Sequence, residues 1–321
     1  MLESEVIVKG RLKGRRLWQS RYWRKHYSLY LMSLPGIVFL LIIKFVPLYG
    51  LTLAFKDFNI FVGNGVLDSI VKSPWVGMKH FQAIFTKPDF LRVISNTLII
   101  SIYKLVLLFP LPIILAVLLG EVKSNGFKRT VQTLVYLPHF LSWVVVFGLF
   151  YSMLGTYGIV NQLVAGLGFE PIKFFTNPDL FRGLLVVSDG WKEMGWSAIV
   201  FLAAITSIDP QQYEAAMIDG ANRWQKMLHI TLPGMMPIIA LMLILRVGHI
   251  LNAGFEQVLA MYNPSVYSVG DIIQTYIYRI GLGRMDYSIA TTLGLFESVI
   301  ALILIATCNT ICKKTLGRSI W

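Results

Sequence analysis

Three charged residues interrupt an apolar stretch in the middle of the chain. Asp189, Lys192 and Glu193 lie close together beside Trp191 and Trp196. A charge at the centre of a bilayer costs about 2.5–3.5 kcal/mol on insertion scales, so such groups are either paired or functional. Asp189 can share a helix face with either of the other two, whereas Lys192 and Glu193 point about 100° apart and need not pair. This set either contacts a solute or holds helices together.

A second apolar stretch carries a polar stripe. Arg246, His249, Asn252 and Glu256 recur at steps of three or four residues, which is the spacing of one helix face. Such a stripe fits a water-lined path or a polar contact with another membrane protein. The residues predicted to line a path for a solute, aromatic side chains included, are Trp143, Tyr151, Trp191, Lys192, Glu193, Asn252 and Glu256.

No residues have the spacing of an enzyme site. The chain lacks a Gly-x-x-x-x-Gly-Lys-Ser/Thr loop for ATP, and its five histidines are scattered without metal-ligand spacing. Cys308 and Cys312 lie four residues apart in an apolar stretch, where buried and unreactive thiols are expected. We therefore expect no catalytic residue, no metal site and no cofactor in this chain.

The composition is that of a membrane protein. Of 321 residues, 55% are hydrophobic and only 14% are charged, and the mean hydropathy is +0.64. The net charge is +12, and the positive residues lie mainly at the ends of apolar stretches. This distribution favours contact with a membrane surface over nucleic-acid binding as the explanation of the positive charge. Six apolar stretches predict an all-α protein with six transmembrane helices. They lie near 29–55, 91–119, 131–154, 182–206, 234–262 and 290–311.

The distribution of Lys and Arg predicts the orientation. With the N-terminus inside, the inner segments hold 16 of these residues and the outer loops hold 7. Both termini are therefore expected in the cytoplasm of a bacterial cell, with the protein in its inner membrane. The predicted organisation is a basic tail over 1–28, a transmembrane domain over 29–311 and a second tail over 312–321.

The segment 209–233 is the longest inner connection, and it predicts a helix–turn–helix. Asp209 is a suitable N-cap for the first helix, and Gln212 could complete a capping box. Gly220 permits a turn that residues with a side chain resist. A second short helix should follow, with Pro233 marking the boundary with the fifth span.

This segment resembles the EAA loop of ABC importer permeases. The matching residues are Glu214-Ala215-Ala216, Asp219-Gly220-Ala221, Ile230, Leu232 and Pro233. The resemblance implies a type I importer permease fold in which the loop docks as a coupling helix on a cytoplasmic ATPase. The residues it assigns to ATPase coupling are Glu214, Ala215, Ala216, Asp219, Gly220, Ala221, Trp224 and Pro233.

Other motifs resemble the permeases for sugars and oligosaccharides, with polysaccharide and alginate importer subunits the most similar in appearance. These motifs are Ser73-Pro74-Trp75-Val76-Gly77, Asn96-Thr97, Trp191 to Trp196, Asn252 to Glu256 and Tyr262-Asn263-Pro264. The resemblance implies a second permease, two copies of an ATPase that binds ATP and Mg²⁺, and a soluble binding protein. It also implies a sugar or oligosaccharide as substrate, with an acidic, alginate-like one as a narrower hypothesis.

Three alternatives remain open from the sequence. One is an importer subunit for a solute other than a sugar, and another is a membrane receptor or scaffold without transport. The third is a solitary secondary transporter, although such proteins usually show two related halves and broken helices, and no internal repeat is visible here. A docking loop would have no use in a solitary carrier.

Overall fold

The fold of residues 26–316 comes from a computed structural model, and these residues form an all-helical protein. Within that range the one β feature is an isolated bridge between Lys56 and Trp75. The predicted fold class is therefore confirmed. Most of the two predicted terminal tails lies outside the described residues, and the domain division stays a prediction.

The helices are numbered in chain order. They are α1 (His26–Phe55), α2 (Val66–Lys72), α3 (Lys79–Phe85), α4 (Pro88–Leu108), α5 (Pro110–Glu121), α6 (Asn125–Tyr136), α7 (Trp143–Leu154), α8 (Ile159–Gly166), α9 (Pro178–Thr206), α10 (Pro210–Ile218), α11 (Arg223–Lys226), α12 (Leu232–Gly248), α13 (Phe255–Met261), α14 (Tyr267–Gly270), α15 (Ile273–Tyr278) and α16 (Tyr287–Leu316).

Five helical stretches in the described part of the chain are long and apolar enough to cross a membrane. They are His26–Phe55, Pro88–Glu121, Trp143–Gly166, Arg223–Gly248 and Tyr287–Lys314. The second of these joins α4 and α5 through Phe109, whose backbone angles are helical, and Pro110 occupies the first turn of α5, where a missing N–H is harmless. Five of the six predicted spans thus have a counterpart, although two have different limits.

The remaining predicted span, 182–206, corresponds to α9. This helix has 29 residues, so it is roughly 43 Å long and exceeds the thickness of a bilayer core. Its charged residues lower its hydropathy below that of the five stretches above. The count of six transmembrane helices therefore stays a prediction.

Two predicted spans are interrupted. The stretch 131–154 contains a 3-10 turn at Leu137–Phe140, after which α7 begins anew with the Ser142 hydroxyl accepting a hydrogen bond from the N–H of Val145. Pro138 lies in that turn and cannot supply a helical hydrogen bond. The stretch 234–262 ends as a regular helix at Gly248 and resumes only at Phe255. Apolar composition continued across both breaks, so hydropathy could not reveal them.

The central element is α9, which packs against α4, α5, α6 and α12. One core cluster, around Phe201, Ala116 and Met235, joins α9 to α5 and α12. A second cluster, around Leu185 and Val258, joins it to α4, α7 and α13. These contacts hold the charged segment of α9 in the middle of the helix bundle.

The contact between α9 and α6 is too close for any side chain at Gly195. A Cβ atom built there would lie 2.1 Å from the backbone oxygen of Val135. Gly183, on the same helix, would have nothing within 4 Å of such an atom. The two glycines therefore differ in the space around them while sharing the helical conformation.

We expect Gly195→Ala to lower the free energy of unfolding by about 1–3 kcal/mol, because backbone atoms cannot move away as a side chain could. The matched control, Gly183→Ala, should be neutral or stabilising by about 0.5–1 kcal/mol, since alanine favours the helix. Thermal unfolding of the detergent-purified protein compares the two. Equal midpoints would contradict the close contact.

Candidate functional site

The first helix of the segment 209–233 begins as predicted. The Asp209 carboxylate caps α10 by accepting a hydrogen bond from the N–H of Gln211 at 3.0 Å. The N–H of Gln212 instead bonds the Asp209 carbonyl at 3.2 Å, so the capping box expected here is replaced by a simple cap. An acidic cap also suits the positive end of the helix dipole.

Gly220 ends α10 in the left-handed conformation, with φ of +79°. The N–H of Ala221 bonds the carbonyl of Ala216 at 2.8 Å, and the N–H of Gly220 bonds the carbonyl of Met217 at 3.1 Å. These two bonds form a Schellman motif, which satisfies the carbonyls that a helix end leaves free. The predicted turn at Gly220 is therefore confirmed.

The second helix starts with a capping box that the sequence analysis placed elsewhere. The Asn222 side chain accepts from the N–H of Gln225 at 2.9 Å, and the Gln225 side chain accepts from the N–H of Asn222 at 2.7 Å. The spacing Asn-x-x-Gln was the available signal. Two adjacent caps make a compact helix–turn–helix.

The prediction that Pro233 ends this second helix is wrong. Helix α11 runs through a π turn, Met227–Thr231, directly into α12, so that Arg223–Gly248 is one continuous stretch. In the π turn the N–H of Leu232 bonds the carbonyl of Met227, five residues back. The extra residue leaves Pro233 in the first turn of α12, where its missing N–H costs little.

The helix–turn–helix presents an apolar surface to solvent. Met217, Ile218, Trp224 and Leu228 are all exposed, with Ile218 88% and Trp224 70% exposed. The hydroxyls of Tyr213 and Thr231, 2.9 Å apart, tie α10 to the base of α12. We call the exposed surface of 213–230 the docking surface. Of the predicted coupling residues, the exposed ones are Glu214, Ala215, Asp219, Gly220, Trp224 and Pro233, and the half-buried ones are Ala216 and Ala221.

At the other end of α12, the helix breaks. Ala253 and Gly254 both have left-handed backbones, with φ of 50° and 83°. The Asn252 side chain accepts hydrogen bonds from the N–H groups of Gly254 and Phe255 at 3.3 and 3.2 Å, which starts α13. The prediction of a polar stripe on one continuous helix face, from Arg246 to Glu256, is therefore wrong, because the helix does not continue.

Lys104 of α4 stabilises the break between α12 and α13. Its ammonium group donates to the carbonyl of Ala253 at 3.0 Å and to Oε1 of Gln257, and it lies 3.7 Å from a carboxylate oxygen of Asp189. Lys104 is 4% exposed, so its charge is almost entirely shielded from solvent. The hydroxyl of Ser101 bonds the carbonyl of Ile250. Carbonyls freed by the break thus find donors within the protein, as a membrane requires.

Gln257 was missed by the sequence analysis. Its amide group donates to the carbonyl of Leu185 and to the hydroxyl of Ser188, both at 2.7 Å, and accepts from Lys104. It is fully buried and links α13 to α9. The only signal for Gln257 in the sequence was a polar residue next to Glu256 in an apolar stretch. That signal could not show that Gln257 is buried and Glu256 exposed.

A second polar cluster lies further along α9. Lys192 bonds Glu193 at 2.9 Å and donates to the carbonyl of His139 at 2.8 Å. His139 Nδ1 lies 2.7 Å from the Glu193 carboxylate, and its ring stacks on Trp196. Lys192 and Glu193 therefore do pair, because the long side chain of Lys192 bends back toward its neighbour. The ammonium also lies 5.3 Å from the ring centroid of Trp143.

Three cavities adjoin the break, and His249 lines all of them. The Phe201 cavity has a volume of about 350 Å³ and includes Asp189, Glu193 and Arg246 in its wall. The Lys104 cavity, about 290 Å³, is also lined by Asp189, Arg246 and Asn252. The Glu297 cavity, about 390 Å³, is lined by Asn252, Gln274 and Glu297.

The predicted path residues are thus divided. Glu193 and Asn252 line these cavities, whereas Lys192 is buried under its ion pair. Trp191 contacts the ring of Phe150. The other three lie apart from the cavities described: Glu256 is exposed, Trp143 is half-buried, and the ring of Tyr151 packs on Phe147 and Phe175.

Long apolar helices, a helix break beside cavities with charged residues in their walls and an exposed helix–turn–helix are features of a membrane-embedded transport subunit. The sequence profile for the binding-protein-dependent transport system inner membrane component matches residues 109–319. The chain belongs to this family. It is therefore a multi-pass protein of the inner membrane, and transport rather than catalysis is its role.

Two curated relatives from Bacillus subtilis (strain 168) are similar along most of their length. The polygalacturonan/rhamnogalacturonan transport system permease protein YteP is 42% identical over 311 residues, covering 97% of this chain and 94% of the relative. Protein LplB is 44% identical over 287 residues, covering 89% and 88%. Among solved structures, a bacterial ABC transporter involved in the import of the acidic polysaccharide alginate contains a chain with a TM-score of 0.84 and 42% identity. That match covers 94% of this chain and 99% of the other.

We expect Lys104→Met to destabilise the protein by about 3 kcal/mol, because it removes one partner of a buried ion pair and leaves the Ala253 carbonyl without its donor. The matched control is Lys123→Met, at an exposed position between α5 and α6 and outside the apolar helices, with an expected change within about 0.5 kcal/mol. Thermal unfolding in detergent measures both. A loss no larger than that of the control would show that the ammonium does not hold the break.

Proposed function

We propose that this chain is a permease subunit of an ATP-driven importer and that it forms, together with a second permease, the path for a sugar or oligosaccharide. The observation that supports this most directly is the docking surface. Exposed apolar side chains on a rigid, doubly capped helix–turn–helix are suited to a groove on a partner protein. The partner we infer is an ATPase dimer, which supplies the ATP and Mg²⁺ sites that this chain is proposed not to have.

The continuous stretch Arg223–Gly248 explains how movement of the partner would reach the solute. It has 26 residues, so it is roughly 39 Å long, and it leads from the docking surface to the break beside the three cavities. A displacement of Trp224 at one end is carried along the helix to Arg246 and His249 at the other. ATP hydrolysis on the partner would in this way change the shape of the cavity walls.

The proposed substrate class follows from the relatives. YteP is a permease of a polygalacturonan/rhamnogalacturonan transport system, and the similar solved chain belongs to an importer of alginate. A second solved structure, a bacterial alginate ABC transporter in complex with an alginate pentasaccharide-bound periplasmic protein, contains a chain that is 40% identical to this one. We infer an oligosaccharide delivered by a soluble binding protein. No nucleic acid is involved.

We also propose that both termini lie in the cytoplasm. The excess of Lys and Arg in the inner segments supports this orientation, and it places the docking surface on the side where ATP is available. The bilayer is the solvent for the exposed apolar faces of the long helices.

Glu214→Arg and Gly220→Val test the docking surface. The first reverses a charge on the exposed face, and the second places a β-branched residue at φ of +79°. We expect the amount of ATPase that copurifies, and the ATP-dependent uptake into proteoliposomes, to fall at least about tenfold with either change. Pull-down from membranes and radiolabelled uptake measure the two effects.

The matched control is Gly168→Val. Gly168 has φ of +85° and open space around it, but it lies outside the segment 209–233. The same backbone strain there should leave ATPase binding unchanged. If the control impaired binding equally, or if both docking variants retained the ATPase and uptake, the coupling assignment would be wrong.

A further inference from the structure

Only some of the hydrogen-bond donors of the Arg246 guanidinium have partners among the described residues. One of its NH₂ groups donates to Asp189 at 3.3 Å, which is the single side-chain hydrogen bond it makes to the described residues. A guanidinium has five N–H donors in a planar fork. The Arg246 side chain is 42% exposed and forms part of the wall of both the Phe201 cavity and the Lys104 cavity. Most of its donors therefore remain available at these cavities.

The charges around Arg246 do not balance. Asp189 is shared between Arg246 at 3.3 Å and Lys104 at 3.7 Å, so one carboxylate serves two cations. The next carboxylate on α9, Glu193, is bound by Lys192 and His139. The carboxylate of Glu297 faces the neighbouring cavity, where Gln274 donates to both of its oxygens. A net positive charge is thus left in a partly desolvated site, where it is costly unless an anion is present.

A carboxylate fits this environment better than a sugar hydroxyl does. An arginine and a carboxylate can form two parallel charge-assisted hydrogen bonds, which are about twice as strong as neutral ones. A neutral hydroxyl would occupy one donor and leave the charge uncompensated. Lys104 cannot serve in place of Arg246, because its ammonium is occupied by Ala253, Gln257 and Asp189.

We propose that Arg246 binds the carboxylate of an acidic sugar residue as an oligosaccharide passes the break between α12 and α13. Asp189 and Lys104 act as positioning residues, since they fix the guanidinium at the cavity wall. This inference rests on the proposed function and gives it a specificity: Arg246 selects uronic acid units over neutral ones.

The test measures the affinity of oligosaccharide probes for the complete complex of permeases and ATPase in detergent. The binding protein is left out, so that its own selectivity does not affect the measured affinities. The probes are a pentasaccharide of galacturonic acid and its methyl ester, which has the same shape and no charge. We expect the wild-type complex to bind the acid at least about tenfold more tightly than the ester. Arg246→Gln should abolish that preference by weakening the acid alone, and Arg246→Lys should retain part of it because the charge remains without the fork.

Glu121→Gln is the matched control, since Glu121 is an exposed carboxylate at the end of α5 and lies outside the walls of the three cavities. It should leave the acid-to-ester ratio unchanged. Four results would overturn the proposal: no preference in the wild type, no binding of either probe, an equal loss of both in Arg246→Gln, or loss of the second permease from the purified Arg246→Gln complex. The last would show that Arg246 contacts that subunit instead.

Failure of this inference can be told apart from failure of the proposed function. ATP-dependent uptake by the wild-type complex is measured separately with its binding protein present. Uptake of the acid probe by a complex that shows no acid-to-ester preference would refute the role of Arg246 and leave the importer assignment intact.

Discussion

A helix that breaks inside a membrane exposes backbone groups that lipid cannot satisfy, and in this chain the buried ammonium of Lys104 satisfies one of them. It bonds the carbonyl of Ala253 at the break and is itself balanced by Asp189 and Gln257. The same contacts join α4, α9 and α13 at one point. Because the break, the Lys104 cavity and α9 all meet there, the geometry of the break depends on this buried charge. The desolvation of that charge is tolerated because two of its donors have acceptors and Asp189, at 3.7 Å, supplies an opposite charge.

The break and the docking surface are the two ends of one stiff element. Between them the chain is helical without interruption, and the π turn at Met227–Thr231 changes the local pitch but leaves the helix continuous. A rigid connection of this kind suits a protein whose energy source lies on another subunit, because force is lost in flexible joints. In the proposed function, force enters at one end of α12 and the solute passes at the other.

Local chemistry was predictable from the sequence, and non-local chemistry was not. Asp209 and Gly220 were assigned correctly because a cap and a left-handed turn depend on a few adjacent residues. Pro233 was misassigned because the π turn before it places it in the first turn of α12, where proline is tolerated. No residue type in the sequence predicts that π turn. The break at Ala253 was missed because apolar periodicity continues through it. Gln257 was missed because its burial depends on Lys104, which is 153 residues away in the chain. The family motifs were enough to predict the fold, whereas the pairings between residues on distant helices can be seen only in the three-dimensional structure.

The close contact at Gly195 also constrains how the path can open. With backbone atoms of α6 this near to α9, a relative slide of even one side-chain width would bring carbonyl groups into collision. This contact therefore opposes a slide of α6 along α9 and couples the positions of the two helices. Regular α-helix is interrupted instead at 137–142 and at 249–254, so bending at those two places breaks fewer helical hydrogen bonds than bending within α6 or α9.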